Sequence, residues 1–224
     1  EVPQKETTPF YPRSPYAVSK LFAFWITKNY REAYDMFAVN GILFNHESSR
    51  RGETFVTRKI TRGLTRCLMG LDEILTLGNI DSERDWGHAK DYVEMQWLML
   101  QRKDPEDFVI STGQKISVRD FILLCFEYLE LKIITKGSGL DEVFYLDSNP
   151  KQTWVKKIKG DPIINISDIY FRPTEVDKLL GDSKYAKTQL NWKPKITLQE
   201  MVKEMIDSDI KLAEQDKFIN EQNK

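Results

Sequence analysis

A serine followed by proline, Ser14 and Pro15, opens an aromatic-rich stretch to about Tyr34. It runs into the apolar segment Phe37 to Phe44 and then the polar loop NHESSRRGET at 45–54. A serine hydroxyl accepts from amides of the first helical turn, and proline at the first helical position removes no bond that the helix needs. The pair therefore predicts a helix over 15–34. The apolar segment predicts a buried strand over 37–44. Helix, strand and polar loop follow in the order in which open α/β sheets present ligands, beyond the C-terminal ends of their strands.

The rest of the chain continues the alternation. Residues Phe55 to Met69 predict a helix carrying Arg58, Lys59, Arg62 and Arg66 around an apolar stripe of Val56, Ile60 and Leu64. A short strand is expected at 74–77, ending in Gly78, then a helix over 91–101 and a strand over 108–110. Ser117 is expected to cap a helix whose interior, FILLCFEYL, is largely apolar. Residues 136–168 carry scattered Gly, Pro, Lys and Asp and read as hairpins and loops. Asp182 can cap a helix to about Leu190, and Thr197 with Glu200 makes a capping box for a last helix through roughly Glu214. Helices alternating with short strands place the chain in the α/β class.

Composition narrows the partners. The chain is 41% hydrophobic over 224 residues, enough for a buried core. Its 33 Lys+Arg nearly cancel its 34 Asp+Glu, so no global field draws it to nucleic acid or an anionic membrane, and anion recognition has to be local. No apolar run approaches the roughly 20 residues that span a bilayer. The opening EVPQKETTPFYP has neither the basic start nor the apolar core of a signal peptide. Cys67 and Cys125 lie in apolar stretches without a CxxC spacing, which predicts buried free thiols and a reducing, cytoplasmic setting. Glu1, where Met is usual, heads a polar loop and is read as a start inside a longer protein or a trimmed product. The two histidines, His46 and His88, are far apart in sequence and have no ligand-spaced carboxylates, so no metal site is expected. The five tryptophans, at 25, 86, 97, 154 and 192, are expected to anchor core or interfaces.

Tyr16 and Lys20 form a YxxxK pair, and residues four apart on a helix share a face. A tyrosine phenol has a reference pKa of about 10, so making it a base at neutral pH needs roughly 4 kcal/mol of preferential phenolate stabilisation. One cation about 4 Å away supplies roughly that much at an effective dielectric near 20. Spacing alone does not discriminate, because Tyr128 and Lys132 repeat it. Context does: Tyr16 opens a helix that leads to a strand and a polar loop, whereas Tyr128 closes a helix and is read as structural.

Four segments resemble the GDP-mannose 4,6-dehydratase family of the extended short-chain dehydrogenases/reductases. They are SPYAVSK, NGILFNHESSRRGETFVTRKITR, LGNIDSERDWGHAKDYVEMQWLMLQ and YFRPTEVDKLLGDSKYAKTQLNWKP, and together they run along nearly the whole chain. The resemblance implies the C-terminal part of a Rossmann-type NAD(P)-binding fold with a smaller α/β substrate-binding lobe, spanning 1–224. The N-terminal Gly-rich half would be absent, so the apolar faces of the 15–34 helix and the 37–44 strand would lack partners. It implies conversion of GDP-mannose to GDP-4-keto-6-deoxy-mannose with NADP as a recycled hydride carrier. In similar enzymes the tyrosine at Tyr16 takes the proton of the sugar's 4-hydroxyl, and the lysine at Lys20 orients the nicotinamide ribose. A threonine and a glutamate that assist later steps would lie upstream of Glu1.

His46 and Arg51 match cofactor-contacting positions, Arg51 across subunits, and a homo-oligomer, a tetramer in the intact enzyme, is implied. Asn45, Lys59, Arg84, Arg172 and Glu175 match positions that bind the GDP end of the substrate, where guanidinium groups suit a diphosphate and a carboxylate suits hydroxyl or guanine donors. Each has a plainer alternative: a solvated basic face for Lys59, a surface ion pair with Asp85 for Arg84, a turn for Arg172. Ser49 stands where the family usually has Pro, and a looser loop is expected there. Two other functions remain open, a non-catalytic fragment binding a GDP-sugar or an enzyme partner, and a related GDP-sugar reductase or epimerase.

Overall fold

The computed structural model describes residues 1–171, 174 and 178–222. In chain order its elements are α1 (Pro15–Tyr34), β1 (Gly41–Leu43), β2 (Asn45–Glu47), α2 (Val56–Leu68), β3 (Leu75–Leu77), β4 (Glu83–Arg84), β5 (Trp86–His88), α3 (Ala89–Met99), β6 (Phe108–Ile110), β7 (Ile116–Ser117), α4 (Val118–Tyr128), β8 (Ile133–Lys136), β9 (Val143–Leu146), β10 (Pro162–Ile166), α5 (Lys184–Leu190) and α6 (Leu198–Gln222). They form two compact units. One comprises Glu1–His46, Ser82–Ile116 and Arg172–Thr197, the other Glu47–Asp81, Ser117–Phe171 and Leu198–Lys224.

In the first unit α1 starts as its sequence dictates. Ser14 Oγ accepts from Ala17 N at 3.1 Å, Pro15 occupies the first turn, and Asp35 in the left-handed region ends the helix. The predicted strand over 37–44 is shorter: only Gly41–Leu43 pairs, parallel to β6, with Gly41 opposite Phe108 and Leu43 opposite Ile110. An apolar run becomes strand only where a partner backbone meets it, and β6 is three residues long. The front of the 45–54 loop is also strand, since β2 pairs with β5. The core gathers Tyr92, Met95, Met99, Phe108, Ile110 and Trp192, and the Trp192 indole donates to the Asp91 carbonyl at 3.1 Å.

α1 itself has no buried residue, and Phe22, Trp25 and Tyr30 are exposed along it. Its position rests on polar ties near its end. The Arg31 guanidinium grips both oxygens of Asp107 at 2.9 and 3.0 Å and also donates to the Ala38 carbonyl. Asp107 further accepts from Asn40 N at 2.9 Å, and the Asn40 side-chain amide donates to the Phe24 carbonyl at 3.3 Å. Phe24 meets Phe10 and Trp25 edge-on, with ring centroids at 4.7 and 5.3 Å.

The second unit is built on a four-stranded sheet of order β3-β10-β9-β8, with β3 parallel to β10 and the other pairs antiparallel. The segment read as hairpins is thus a meander that completes this sheet. α2, α4 and α6 pack on one another, and α2 also lies against β3 and β10. The close approach of α2 depends on Gly63, where a Cβ would fall 2.6 Å from Leu75 Cδ1. Ile60, Leu64, Phe121, Ile122, Phe144 and Met205 are fully buried between these layers. The expected cap of α4 is present as a reciprocal box: Ser117 Oγ accepts from Asp120 N, and Asp120 accepts from Ser117 N. α6 runs to Gln222, past the expected end near Glu214.

Cys67 and Cys125 are buried free thiols, and burial pushes the Cys67 thiol up to about 11. Tyr128 is structural as expected: its hydroxyl donates to Asp207 at 2.5 Å and accepts from Lys203 at 2.8 Å. Trp86 and Trp192 are core anchors, whereas Trp25 and Trp97 are exposed.

The Arg31–Asp107 fork makes stability depend on pH. Burial pushes the Asp107 carboxyl up, but the Arg31 fork and the Asn40 amide outweigh it and hold it below its ordinary value. A depressed folded pKa gives stability that is complete above the unfolded value of about 4 and is lost as pH falls through the folded value. Asp107→Asn should therefore lower unfolding free energy by about 1–3 kcal/mol at pH 7, as expected for charge-assisted bonds. In urea titrations the gap from the parent should close as pH falls from the unfolded value of about 4 through the lower folded value.

Candidate functional site

The expected residues are divided between the two units. In the first unit Tyr16 lies in the opening turn of α1, 71% exposed, and Lys20 sits one turn on with Nζ 5.8 Å from the centroid of the Tyr16 ring. Phenol and ammonium thus share a face open to solvent, where a ligand can reach both. The same first unit holds His46, at the start of β2. Its Nδ1 lies 3.0 Å from the Phe44 carbonyl, and a carbonyl only accepts, so Nδ1 carries the proton and donates. The ring also packs on Tyr92 at 5.0 Å between centroids. With Nδ1 committed to that bond, Nε2 is the ring nitrogen left to meet hydroxyl groups of a nucleotide.

Arg84 is half-buried in β4 and donates to the Glu83 carbonyl at 2.9 Å. Its neighbour is not the surface acid that the sequence allowed. Asp85 is fully buried and accepts from Thr112 N at 2.9 Å, Thr112 Oγ1 at 2.6 Å, Gly113 N at 2.9 Å and Gly181 N at 3.4 Å. Burial raises its carboxyl above the ordinary value, and these donors act against the rise. One carboxylate thereby ties the strand end that carries Arg84 to two loops. Nothing in the local sequence announced it, because its donors are backbone amides 27 to 96 residues away.

In the second unit the loop after β2 is anchored, contrary to the looseness expected of Ser49. Ser49 Oγ donates to Glu204 Oε1 at 3.1 Å, and the Ser49 carbonyl accepts from Arg58. Arg51 Nε lies 3.1 Å from Oε2 of the buried Glu47, and its guanidinium carbon lies 3.7 Å from the Phe55 ring centroid. Burial raises the Glu47 carboxyl, while the Thr57 hydroxyl, donating at 2.7 Å, and Arg51 oppose it.

The cations of α2 are not a solvated face. Arg58 is buried against Asp209, Arg62 and Arg66 both reach Asp216, and Arg66 also grips Asp72. Lys59 differs from them: its Nζ rests 3.2 Å from the Tyr170 ring centroid, and desolvation lowers its pKa. A partly dehydrated ammonium on an aromatic face is primed to gain an anionic partner.

Asn45 begins β2, half-buried. Arg172 and Glu175 lie outside the described residues. Among the described residues no group of three or more His, Cys, Asp or Glu could hold a metal ion, and no helix is long and apolar enough to cross a membrane.

The chain has an α/β fold of Rossmann type, the fold it shares with solved structures such as the dTDP-glucose 4,6-dehydratase of Bacillus anthracis and the UDP-glucose 4-epimerase of Thermus thermophilus. Among solved structures, RMD from Pseudomonas aeruginosa complexed with NADPH superimposes with a TM-score of 0.72 at 19% identity, covering 94% of this chain and 60% of that one. The chain belongs to the GDP-mannose 4,6-dehydratase family, whose model matches residues 1–205. It is 55% identical over 215 residues to the GDP-mannose 4,6-dehydratase of Yersinia enterocolitica and 53% identical over 212 residues to the human GDP-mannose 4,6 dehydratase. Those matches cover 96% and 95% of this chain, which spans 58% and 54% of the two relatives.

The Asp85 anchor gives a test of the framework that carries Arg84. Asp85→Ala leaves the part-buried Thr112 and Gly113 amides and the buried Gly181 amide without their acceptor, so stability should fall by about 1–3 kcal/mol in urea titration. A loss under about 1 kcal/mol would show that water or a neighbour replaces the carboxylate.

Proposed function

We propose that the protein is a GDP-mannose 4,6-dehydratase, forming GDP-4-keto-6-deoxy-mannose with NADP as a recycled hydride carrier. The observation that carries this reading is the Tyr16–Lys20 pair, accessible and on one helical face, in a chain more than half identical to enzymes of that name. The donors of the first unit suit the nicotinamide end of a dinucleotide: a phenol and an ammonium for the ribose, and an imidazole nitrogen for its hydroxyl groups. The Arg51 guanidinium suits a phosphate and, by the family match, would reach the cofactor across subunits. When bound, NADP would supply reversible hydride acceptance, from C4 of the sugar and back to C6.

The residues' own chemistry is acid–base and positional. Tyr16, as phenolate, accepts the proton of the 4-hydroxyl as that carbon is oxidised, and Lys20 stabilises the negative oxygen across one helical turn. The 4-ketone acidifies the C5 proton; a carboxylate base of the kind the family match implies would take it, and the C6 hydroxyl would leave with a proton as water. Tyr16, now protonated, donates a hydrogen bond to the 4-keto oxygen. By the family match alone, Asn45, Lys59, Arg84, Arg172 and Glu175 are assigned to the GDP end of the substrate, where cations suit a diphosphate. We further read the intact enzyme as a homo-oligomer, a tetramer, and place it in the cytoplasm, in keeping with two buried free thiols.

The intact protein incubated with GDP-mannose and NADP should give the 6-deoxy-4-keto product by NMR with no net NADPH. Tyr16→Phe should lower turnover by at least about 100-fold, the lower range for losing one positioned acid–base group, while GDP affinity stays within about threefold, since the phenol acts on the sugar and not on the nucleotide in this scheme. Undiminished turnover removes Tyr16 from the reaction, and a reduced or epimerised sugar as product replaces the proposed activity. Lys59→Met should weaken GDP binding about tenfold, or about 1.4 kcal/mol, by calorimetric titration; unchanged affinity assigns Lys59 to structure.

A further inference from the structure

A buried arginine in the second unit has more donors than its ion pair uses. Arg58 Nε lies 2.9 and 3.0 Å from the two oxygens of Asp209, and Nη2 lies 2.8 Å from Oδ1. Asp209 is fully buried and takes a further bond from Thr61 Oγ1 at 2.7 Å. With one edge of the guanidinium fixed by this carboxylate, Nη1 points the other way. It donates to the carbonyls of Ser49 and Arg51, the latter at 3.0 Å. Between those carbonyls the chain makes a tight turn, closed by Arg51 N donating to Ser48 O at 3.0 Å and Arg50 N donating to Ser48 Oγ at 3.1 Å.

We propose that Arg58, oriented by Asp209, is a positioning residue that sets the 48–51 turn and thereby the direction from which Arg51 is presented. An exposed turn normally satisfies its carbonyls with water, and a buried ion pair is often replaceable by apolar side chains of similar volume without loss of stability. Here one rigid planar fork bridges a buried carboxylate and two successive bends of a surface loop, which a point charge on a flexible stem cannot do. The fixed turn places the Arg51 Cα so that its guanidinium reaches both Glu47, at 3.1 Å, and the Phe55 ring, at 3.7 Å. Glu47 is held in turn by Thr57, the residue before Arg58, so the buried acid that pairs with Arg51 and the fork that sets its turn are both fixed from the first turn of α2. The functional consequence rests on the reading of Arg51 as a phosphate-binding cofactor contact.

The test is hydrogen exchange of the segment 48–55 by mass spectrometry in the intact protein, for Arg58→Lys and for the double variant Arg58→Met/Asp209→Asn. Arg58→Lys keeps the buried charge pair and removes the fork. The double variant removes both charges and leaves an amide oxygen at position 209 to accept from Thr61. At least tenfold faster exchange of this segment, with the β8–β9 hairpin unchanged, is expected in either folded variant. A segment that exchanges as in the parent, or one that accelerates no more than the hairpin does, overturns the proposal. In the Arg58→Lys enzyme the KM for NADP should rise about tenfold while kcat at saturation stays within about twofold. Arg51→Ala is the separate control: if NADP binds it as tightly as the parent, the cofactor role of Arg51 fails, and the exchange result alone still decides what Arg58 does.

Discussion

The proposed base is carried by a helix with no buried residue of its own, so the geometry of Tyr16 depends on the polar clamp at the far end of α1. Arg31, Asp107 and the Asn40 backbone hold that end against β6 and the segment before β1. A clamp of charge-assisted bonds is directional, unlike apolar contact, and fixes the azimuth of the helix as well as its distance. Azimuth is what matters for a YxxxK pair, because rotating α1 by one residue would carry phenol and ammonium off the face they present. Ser14 sets the other end by fixing where the helix begins.

Charge in the second unit is arranged by a different rule. The chain is close to neutral overall, yet α2 concentrates four cations within nine residues. Three of them are neutralised by acids brought from elsewhere: Asp209 and Asp216 on α6, and Asp72 beyond the helix. Lys59 rests on Tyr170 instead, and desolvation lowers its pKa. A near-neutral protein can in this way keep a local cation ready for an anion without a broad positive surface that would attract nucleic acid. The same partition separates Arg58, which positions a loop, from Lys59 beside it.

Local signals were legible in the sequence, and contacts between distant segments were not. Ser14-Pro15 and Ser117 mark helix starts locally, and both starts lie where the sequence puts them. The 37–44 strand is overextended because hydrophobicity marks what can be buried, while pairing is decided by the three residues of β6. Tyr128 and Tyr16 share one spacing; what separates them is that Tyr128 is held by Lys203 and Asp207, some 75 residues on, whereas Lys20 stands over Tyr16. Asp85, Asp209 and Glu47 escaped notice for one reason. An isolated acid in sequence looks like surface, and its burial becomes visible only when amides, hydroxyls and arginines from other segments converge on it.

In the proposed dehydratase reaction hydride leaves C4 of the sugar and returns at C6 of the same molecule. That internal return of hydride is best examined with GDP-mannose carrying deuterium at C4. The label should appear at C6 of the 6-deoxy-4-keto product, with the free cofactor pool unlabelled and unreduced. Deuterium retained at C4, lost to water, or recovered in released NADPH would contradict it.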